Sequence, residues 1–513
     1  MASTFRSALD AIIIFFCGLI LFTFGLYHQE IISFESRFYL FALEMWRHGV
    51  TLFPTTYHAP YPDYPVTSTL LIYLSAKLFG GLNKFTAVLP SAIAAGFSLS
   101  ATYLTGALQT RRWGWYGAGF LIFTLTFLTE ARTISLDMYV TAFTSWIFYF
   151  AYKANLQEKT FPWIKVLLLL VMSFAVRGPV GMVIPASVIW IFYFLEKDWK
   201  SLILLSITGL LLLLFCTGML LLAAYWDAGA QFLQKVLTME VSGRLQENQT
   251  PAYYFYFVEN IGAYAVTYLL AILVVLGCFP KIIQRDVSSH MRFLRALIAW
   301  VLIIMIGLSI PADKKVRYIL PIAPALALIS AYLFISLKNK YLQRLKKGFY
   351  LICWIFPLLA LGVLSFLYQK QVNLNYGMLS VSLIFLQLVM LILQNKDAVF
   401  FLAVFTFFLV NVFVVEKINL DSNRARDFVQ YVEKLRAAQH AKLGFYREGK
   451  DGWVIKYLIN MQQEDNPVFI SDIKDVHDVF MITSEENIQT LPSGSFKIIA
   501  TGKIGHDKVV VFQ

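Results

Sequence analysis

Residues 202–225 read LILLSITGLLLLLFCTGMLLLAAY, a run without a single charged side chain. A helix needs about 20 apolar residues to cross the hydrocarbon core of a bilayer, so this run is long enough to do so. Of all 513 residues, 58% are hydrophobic, 16% are aromatic and only 14% are charged. Soluble domains carry roughly a quarter charged residues, and disordered chains are poor in aromatics. The composition therefore predicts a polytopic membrane protein, not a soluble enzyme.

The same length rule predicts thirteen membrane-spanning helices. The fifth is too short to cross alone and is expected to continue towards Arg177. The first has no small-residue cleavage site at 25–28, so we interpret it as a membrane helix and not as a cleaved signal peptide. The predicted spans are 9–27, 84–108, 114–130, 136–152, 163–172, 179–195, 202–225, 260–279, 294–310, 317–336, 349–368, 374–394 and 398–415.

The basic residues predict the orientation of these spans. The net charge is +12, but Lys and Arg lie mostly in short loops between apolar runs, which favours an orientation signal over nucleic-acid binding. With a cytoplasmic N-terminus, the shorter inner loops hold more Lys and Arg than the longer outer ones, as the positive-inside rule requires. Thirteen spans then place the last hundred residues on the outer side of the membrane.

The chain is predicted to have two parts, a transmembrane domain at 1–415 and a soluble α+β domain at 416–513. Two outer loops of the first part are long, 28–83 and 226–259. Beyond 416 a charged helical pattern is followed by short β-rich runs separated by Gly, Asn, Asp and Pro. No internal repeat is found, so the inverted-repeat pattern of many secondary transporters is missing from the sequence.

The first outer loop contains an amphipathic pattern that begins at Glu35. The apolar residues Phe38, Phe41, Ala42 and Met45 recur at helical spacing, which predicts a helix along the membrane surface. Glu35 would then lie near the positive end of the helix dipole. This helix could position a functional carboxylate, or it could merely cap the bundle with solvated charges.

Other charged residues lie where predicted spans end on the outer side. Such charges are costly at membrane depth unless they are paired or line a wet cavity, and Arg and Lys beside carboxylates suit a lipid phosphate. Taken singly, each could equally end a helix or contact a lipid headgroup. In the first loop, Asp63 stands between two prolines and is either a second functional carboxylate or an ordinary turn residue. The span-end charges are Glu130, Arg132, Asp137, Arg177, Glu240, Arg244, Lys314, Lys315 and Arg317.

Several common motifs are missing from the sequence. There is no phosphate-binding Gly-x-x-x-x-Gly-Lys-Ser/Thr loop, no dinucleotide fingerprint and no His-Glu-x-x-His. The four cysteines all lie in apolar runs and form neither a disulfide framework nor a Cys-x-x-Cys metal signature. A transferase that takes its activated group from a lipid carrier needs none of these.

The string Phe34-Glu35-Ser36-Arg37-Phe38 resembles the Asp-Glu-x-Arg-Tyr signature of GT-C glycosyltransferases. Within that superfamily the chain is most similar to bacterial aminoarabinose (lipid A) transferases and protein O-mannosyltransferases. Further matches keep the family's order: Tyr64-Pro65-Val66, Leu78-Phe79-Gly80, Leu89-Pro90-Ser91, Arg132 with Asp137, Arg177-Gly178-Pro179, and the run from Lys315 to Pro324 with Tyr318.

The resemblance implies a GT-C fold and the transfer of a sugar, with inversion, from a polyprenyl-phosphate carrier to a lipid, glycan or protein acceptor on the outer face. It implies Glu35 and Asp63 as the catalytic carboxylates. A divalent metal ion is a further possible cofactor, with Asp63 and Glu240 as its candidate ligands. The residues implied to bind the donor phosphate are Arg37, Arg132, Asp137, Arg177, Arg244, Lys315 and Tyr318.

The chain departs from the family pattern at several motif positions. Phe34 stands where the motif has Asp, so either Glu35 serves alone or Glu30 replaces the missing acid. Phe38 replaces Tyr, Tyr64 replaces Lys, and Arg177 replaces the Lys of Lys-Gly-Pro. These departures leave the sugar and the acceptor open. The alternative functions are a transporter or flippase of lipid-linked glycans and a ligase or polymerase of wall polymers.

Overall fold

The structure is a computed structural model. It describes residues 2–63, 65–158, 162–239, 253–284, 288–311, 314–335, 339–393, 395–439, 441–461, 467–471, 479–489 and 496–513.

Helices form most of the described chain up to Ser422. In chain order they are α1 Ala2–Thr23, α2 Glu35–His48, α3 Thr67–Leu78, α4 Lys84–Ala107, α5 Arg111–Ile122, α6 Leu125–Ala131, α7 Leu136–Leu156, α8 Trp163–Arg177, α9 Pro179–Glu196, α10 Trp199–Leu237, α11 Phe255–Ala263, α12 Ala265–Ile283, α13 Ser289–Ser309, α14 Ala323–Ala331, α15 Lys340–Gln369, α16 Tyr376–Leu393, α17 Lys396–Val410 and α18 Glu416–Ser422. Two 3₁₀ segments, Val316–Ile322 and Tyr332–Phe334, flank α14, and a π turn, Asn411–Val415, joins α17 to α18. Strands β1 Thr55–Thr56 and β2 Ala59–Pro60 pair in the first long loop.

The predicted polytopic helical fold is confirmed. In the described parts of the chain, ten helical segments are long and apolar enough to cross a membrane. The other three predicted spans are also helical, since 114–130 falls on α5 and α6, 136–152 on α7 and 163–172 on α8. As predicted, α8 continues to Arg177. The predicted loop 226–259 is partly helical, because α10 extends to Leu237 through a kink at Ala228 and Gly229.

Small residues let the central helices pack closely. A Cβ built on Gly106 of α4 would lie 2.8 Å from the backbone nitrogen of Gly114 on α5, so the two backbones meet there without side chains between them. Such close approach through small residues is typical of membrane helix pairs. On the other face of α5, the Trp113 indole donates a hydrogen bond of 2.8 Å to the Leu328 carbonyl of α14.

Gly114→Ala is expected to lower the free energy of unfolding by about 1–3 kcal/mol through overpacking. Its new Cβ would lie 2.4 Å from the Tyr103 carbonyl oxygen, so the two helix backbones would have to separate. Melting of the purified protein in detergent, followed by tryptophan fluorescence, checks this. Gly209→Ala is the matched control, because a Cβ there meets no atom within 4 Å. Equal melting temperatures for the two variants would contradict the prediction.

The predicted C-terminal α+β region is confirmed as a five-stranded mixed sheet with three helices. The strands lie in the order β4-β3-β5-β7-β6, and β3 is parallel to both of its neighbours while β7 is antiparallel to both of its own. The elements are α19 Arg426–Gln439, β3 Lys442–Tyr446, α20 Trp453–Asn460, β4 Val468–Ile470, β5 Val479–Ser484, α21 Glu485–Ile488, β6 Ile498–Ile504 and β7 Asp507–Phe512.

This sheet region packs on the first long loop, and we call that end of the bundle the sheet side. Leu40 of α2 is buried in the same apolar core as Trp453 and Val454 of α20. The Glu30 carboxylate accepts hydrogen bonds of 3.2 and 3.3 Å from the backbone N–H groups of Ala425 and Arg426 at the start of α19. The C-terminal region therefore covers α2, the helix that Glu35 begins.

Candidate active site

Glu35 is the first residue of α2 and is fully buried, with 1% of its surface exposed. Its Oε1 accepts hydrogen bonds from Lys84 Nζ at 2.5 Å and from the backbone N–H of Ile32 at 3.1 Å. Its Oε2 accepts one from the backbone N–H of Ile134 at 3.2 Å. Lys84, the first residue of α4, is buried too. This ion pair therefore joins α2, α4 and the segment before α7.

The amphipathic pattern of α2 is confirmed by burial. Its predicted apolar positions are all buried, and so are the carboxylates of Glu35 and Glu44. Glu44 Oε1 accepts a hydrogen bond of 2.5 Å from the backbone N–H of Tyr57. The alternative in which this helix carries only solvated charges is therefore wrong for these two acids, because both are bonded inside the protein.

Glu35→Gln is expected to lower the free energy of unfolding by about 3–5 kcal/mol, because Lys84 would keep a buried charge without its partner. The double variant Glu35→Gln/Lys84→Met removes both charges and should recover most of the lost stability. Melting in detergent measures both. Glu485→Gln, which breaks the exposed pair with Lys508, is the control and should melt like the native protein. A single variant as stable as the native protein would contradict a structural role for this pair.

A second charged cluster is centred on Asp137, near the start of α7. Asp137 Oδ1 lies 3.3 Å from Arg177 Nε, and its Oδ2 lies 3.6 Å from Arg317 Nε. The Tyr318 ring is shared by three cations, with Arg177 Cζ at 5.6 Å, Arg317 Cζ at 5.7 Å and Lys315 Nζ at 5.7 Å from its centroid. The structure thus brings together four of the predicted phosphate ligands and adds Arg317, which the sequence marked only as a span-end charge.

Local backbone structure explains how these side chains converge. Gly178 has φ +65°, a conformation that favours glycine, and Pro179 opens α9 at a position where its missing N–H is harmless. The chain therefore reverses directly after Arg177, which ends α8. Arg317 and Tyr318 lie in the 3₁₀ segment Val316–Ile322, which faces the start of α7.

Phe34 replaces the acid of the family motif, and its aromatic ring binds a cation instead. The Arg317 Cζ atom lies 3.9 Å from the centroid of this ring. Stacking on an aromatic face suits the planar guanidinium and fixes its orientation. We interpret Phe34 as the residue that positions Arg317 beside Asp137.

Glu130 lies between the two clusters. It is the second-last residue of α6 and is 5% exposed, and its Oε2 accepts a hydrogen bond from the Ser135 hydroxyl. The backbone N–H of Ser135 donates a hydrogen bond of 3.0 Å to Ser91 Oγ, and this bond holds Ser135 in place. Glu130 is near enough to Asp137, Arg317 and Glu35 for charge–charge interaction. Within the described residues, its second oxygen accepts no hydrogen bond.

Two predicted phosphate ligands, Arg132 and Arg37, take part in other networks. Arg132 is buried, forms a two-pronged ion pair with Glu416 at 2.5 and 2.9 Å, and donates to the carbonyls of Leu21, Phe22 and Phe24 at 2.9–3.2 Å. All three guanidinium nitrogens of Arg132 therefore have protein acceptors, and its role as a phosphate ligand stays a prediction. Its contacts tie the end of α1 to the start of α18.

Arg37 instead links the first long loop to the C-terminal region. It donates to Tyr61 Oη at 3.0 Å and to Asp451 Oδ1 at 2.8 Å, and its side chain is 31% exposed. Burial raises the pKa of the Tyr61 phenol above its ordinary value, so this hydroxyl stays neutral at physiological pH. A second link is the 2.9 Å hydrogen bond from Tyr57 Oη to the Lys450 carbonyl. These contacts indicate that Arg37 holds the two regions together.

The predicted residues that remain are Asp63, Glu240 and Arg244. Asp63 is half-buried, two residues beyond Tyr61, whose phenol it influences electrostatically. Arg244 and Glu240, a predicted phosphate ligand and a predicted metal ligand, lie outside the described residues, as does Tyr64. No group of three His, Cys, Asp or Glu side chains could hold a metal in the part of the chain that the structure describes. The metal site at Asp63 and Glu240 stays a prediction.

Sequence reasoning missed the role of Lys84 and gave none to Glu130. A signal for Lys84 was present, because it is the only charged residue at the start of the predicted span 84–108 and follows Asn83, whose side chain caps α4. Glu130 could not be singled out, because its proximity to Asp137 depends on the tight connection between α6 and α7.

Two curated proteins are similar to this chain in sequence. An uncharacterised protein of Aquifex aeolicus is 25% identical over 364 residues, which is 69% of each chain. An undecaprenyl phosphate-alpha-4-amino-4-deoxy-L-arabinose arabinosyl transferase of Shewanella sediminis is 24% identical over 430 residues, 78% of this chain and 76% of that protein. No protein-family model matches the chain.

Among solved structures, ArnT from Cupriavidus metallidurans bound to undecaprenyl phosphate superposes with a TM-score of 0.71. The match covers 99% of this chain and 97% of ArnT at 15% sequence identity. The chain has the GT-C fold. The resemblance first drawn from short motifs is therefore confirmed over the membrane helices and the C-terminal sheet region together.

Because the match to ArnT covers 99% of the chain, it includes the C-terminal region that covers α2 as well as the membrane helices.

Proposed function

We propose that the protein transfers a sugar from a polyprenyl-phosphate carrier to an acceptor in the bacterial envelope. The observation that carries this proposal is the cluster of Arg177, Arg317, Lys315 and Tyr318 around Asp137, at the sheet side of a GT-C bundle. The name of the Shewanella relative and the lipid bound to Cupriavidus ArnT support an undecaprenyl-phosphate donor. We place the protein in the inner membrane, with the sheet side in the periplasm.

In this proposal the cationic cluster stabilises the departing phosphate. When the bond between the anomeric carbon and the phosphate oxygen breaks, negative charge grows on the leaving oxygen. Guanidinium groups fixed in place beforehand lower the energy of that state. With Glu130 and Asp137 counted against Arg177, Arg317 and Lys315, this cluster of described residues keeps one surplus positive charge.

The acceptor hydroxyl needs a base as it attacks the anomeric carbon. Glu35 already accepts three hydrogen bonds, so we assign it a structural role, in which it holds the segment at Ile134 in place. One oxygen of Glu130 accepts no hydrogen bond from the described residues, and Glu130 lies beside the charged cluster centred on Asp137. We therefore propose Glu130 as the base. Asp63, in the first long loop, remains the second proposed acid.

Reconstituted vesicles provide the test. Native protein and the Arg177→Gln/Arg317→Gln variant are incubated with a panel of undecaprenyl-phosphate sugars and an envelope extract, and free undecaprenyl phosphate is counted by mass spectrometry. The proposal expects release by the native protein alone, together with a modified acceptor. Labelled lipid-linked sugar that crosses sealed vesicles without being cleaved would overturn the transferase in favour of a transporter.

A further inference from the structure

A cavity of about 470 Å³ lies where the end of α1, the start of α16, the π turn and α18 meet. Its volume falls in the range of pockets that bind small molecules. None of the residues that we assign to the sugar-transfer chemistry lines it. The lining residues that matter here are Phe24, His28, Met378, Phe413, Lys417 and Arg424.

Two residues of this cavity also line a small apolar groove of about 30 Å³. Met378 and Phe413 line both spaces. The groove itself lies between α15, α16 and the end of α17, and its walls include Ala360, Leu383 and Leu409. The cavity and the groove adjoin at these two residues, and we call them together the cleft, with an apolar end between membrane helices and a polar end at the sheet side.

The π turn Asn411–Val415 lies at the junction of groove and cavity. Its residues Val412 and Phe413 face the cavity, while Phe413 and Val414 face the groove. π turns are rare in proteins and are frequently found at functional sites. Here the turn supplies lining residues to both the cavity and the groove.

The polar end of the cleft is cationic. Lys417 and Arg424 both pair with Asp421 Oδ1, at 3.0 and 2.8 Å, so a single carboxylate serves two positive charges. Their side chains remain 35% and 48% exposed. The one acid in the cavity wall, Glu30, has an oxygen bound to the backbone N–H groups that begin α19. An anionic group at this end would find two nearby cations that Asp421 only half neutralises.

We propose that this cleft binds an anionic phospholipid. Its phosphate would lie against Lys417 and Arg424, and an acyl chain would lie over Met378 and Phe413 along the apolar surface of the groove. This binding does not depend on the proposed sugar transfer. A bound lipid would stabilise the junction between the last membrane helices and the C-terminal region, because the cleft touches α1, α16 and α18.

Native mass spectrometry of the full-length protein in detergent tests this. Phosphatidylglycerol and phosphatidylcholine with the same acyl chains are titrated against the native protein and the Lys417→Gln/Arg424→Gln variant. Removal of two cations near an anionic lipid is expected to weaken phosphatidylglycerol binding about 30-fold. Lys370→Gln, which removes an exposed cation at the end of α15 that lines neither the cavity nor the groove, should bind it like the native protein.

A second pair of variants tests the groove. Met378→Trp fills the junction and is expected to abolish phosphatidylglycerol binding, whereas Leu388→Trp, at an exposed site on the same helix outside the cleft, should not. Unchanged phosphatidylglycerol binding in the double variant or in Met378→Trp would overturn the proposal. Equal affinity for phosphatidylcholine would also overturn it, because binding would then not depend on the charge of the lipid. Equal affinity for water-soluble glycerol phosphate would overturn it too, because binding would then not depend on the groove.

Discussion

Arg177→Gln and Arg317→Gln are each expected to lower the turnover number for sugar transfer by about 10²–10³-fold, the usual effect of removing one fixed donor from developing negative charge. Both guanidinium groups are held before substrate arrives, by Asp137 and by stacking on Phe34 and Tyr318. The loss should appear mainly in kcat, because the charge on the leaving oxygen grows towards the transition state. Steady-state release of undecaprenyl phosphate measures it.

Folding must be separated from chemistry in these variants. Each single variant leaves Asp137 one cationic partner, so both should keep the melting temperature of the native protein within a few degrees. Arg292→Gln removes a guanidinium paired with Glu196 away from this cluster and serves as the matched control, with native activity expected. A native kcat in both Arg177→Gln and Arg317→Gln would remove these residues from the proposed mechanism.

Hydrophobic length and composition were sufficient to predict the membrane helices, whereas the GT-C fold was predicted from the motif resemblance. Runs such as 202–225 are long and apolar enough to cross a membrane, and the change of composition after 416 predicted the sheet region. The boundary there is less sharp than the composition suggests, because helix continues from α17 through the π turn and α18 to Ser422. Helix breaks such as that between α5 and α6 were not predictable from hydropathy, since both sides are equally apolar.

The site was predictable only in part, because side-chain partners depend on tertiary structure. Asp137, Arg177 and Tyr318 share a motif order with GT-C proteins, and the structure brings them together. Arg132 follows the same motif, yet it pairs with Glu416, which lies 284 positions further along the chain. No local pattern could have predicted that pairing. The same holds for Arg37 and Asp451.

Glu130→Gln is expected to lower kcat by about 10²–10⁴-fold, the range for loss of a general base. The substitution keeps the size of the side chain, and its amide oxygen can still accept the hydrogen bond from Ser135. It removes only the negative charge and the oxygen that could receive a proton from the acceptor hydroxyl. Stability should therefore change little, in contrast to Glu35→Gln, which leaves Lys84 without a counter-ion.

Three carboxylates can be ranked by this comparison. If Glu130 is the base, Glu130→Gln folds but loses sugar transfer, whereas Asp63→Asn retains more activity. The double variant Glu35→Gln/Lys84→Met should also fold, and it should retain activity to the extent that the segment at Ile134 stays ordered. Glu196→Gln controls for loss of a carboxylate away from the cluster. A native rate in Glu130→Gln with a severe loss in Asp63→Asn would assign the base to the first long loop, as the family motif alone predicts. The two results would assign the base to different parts of the chain, because Glu130 lies next to the α6–α7 connection and Asp63 lies in the first long loop.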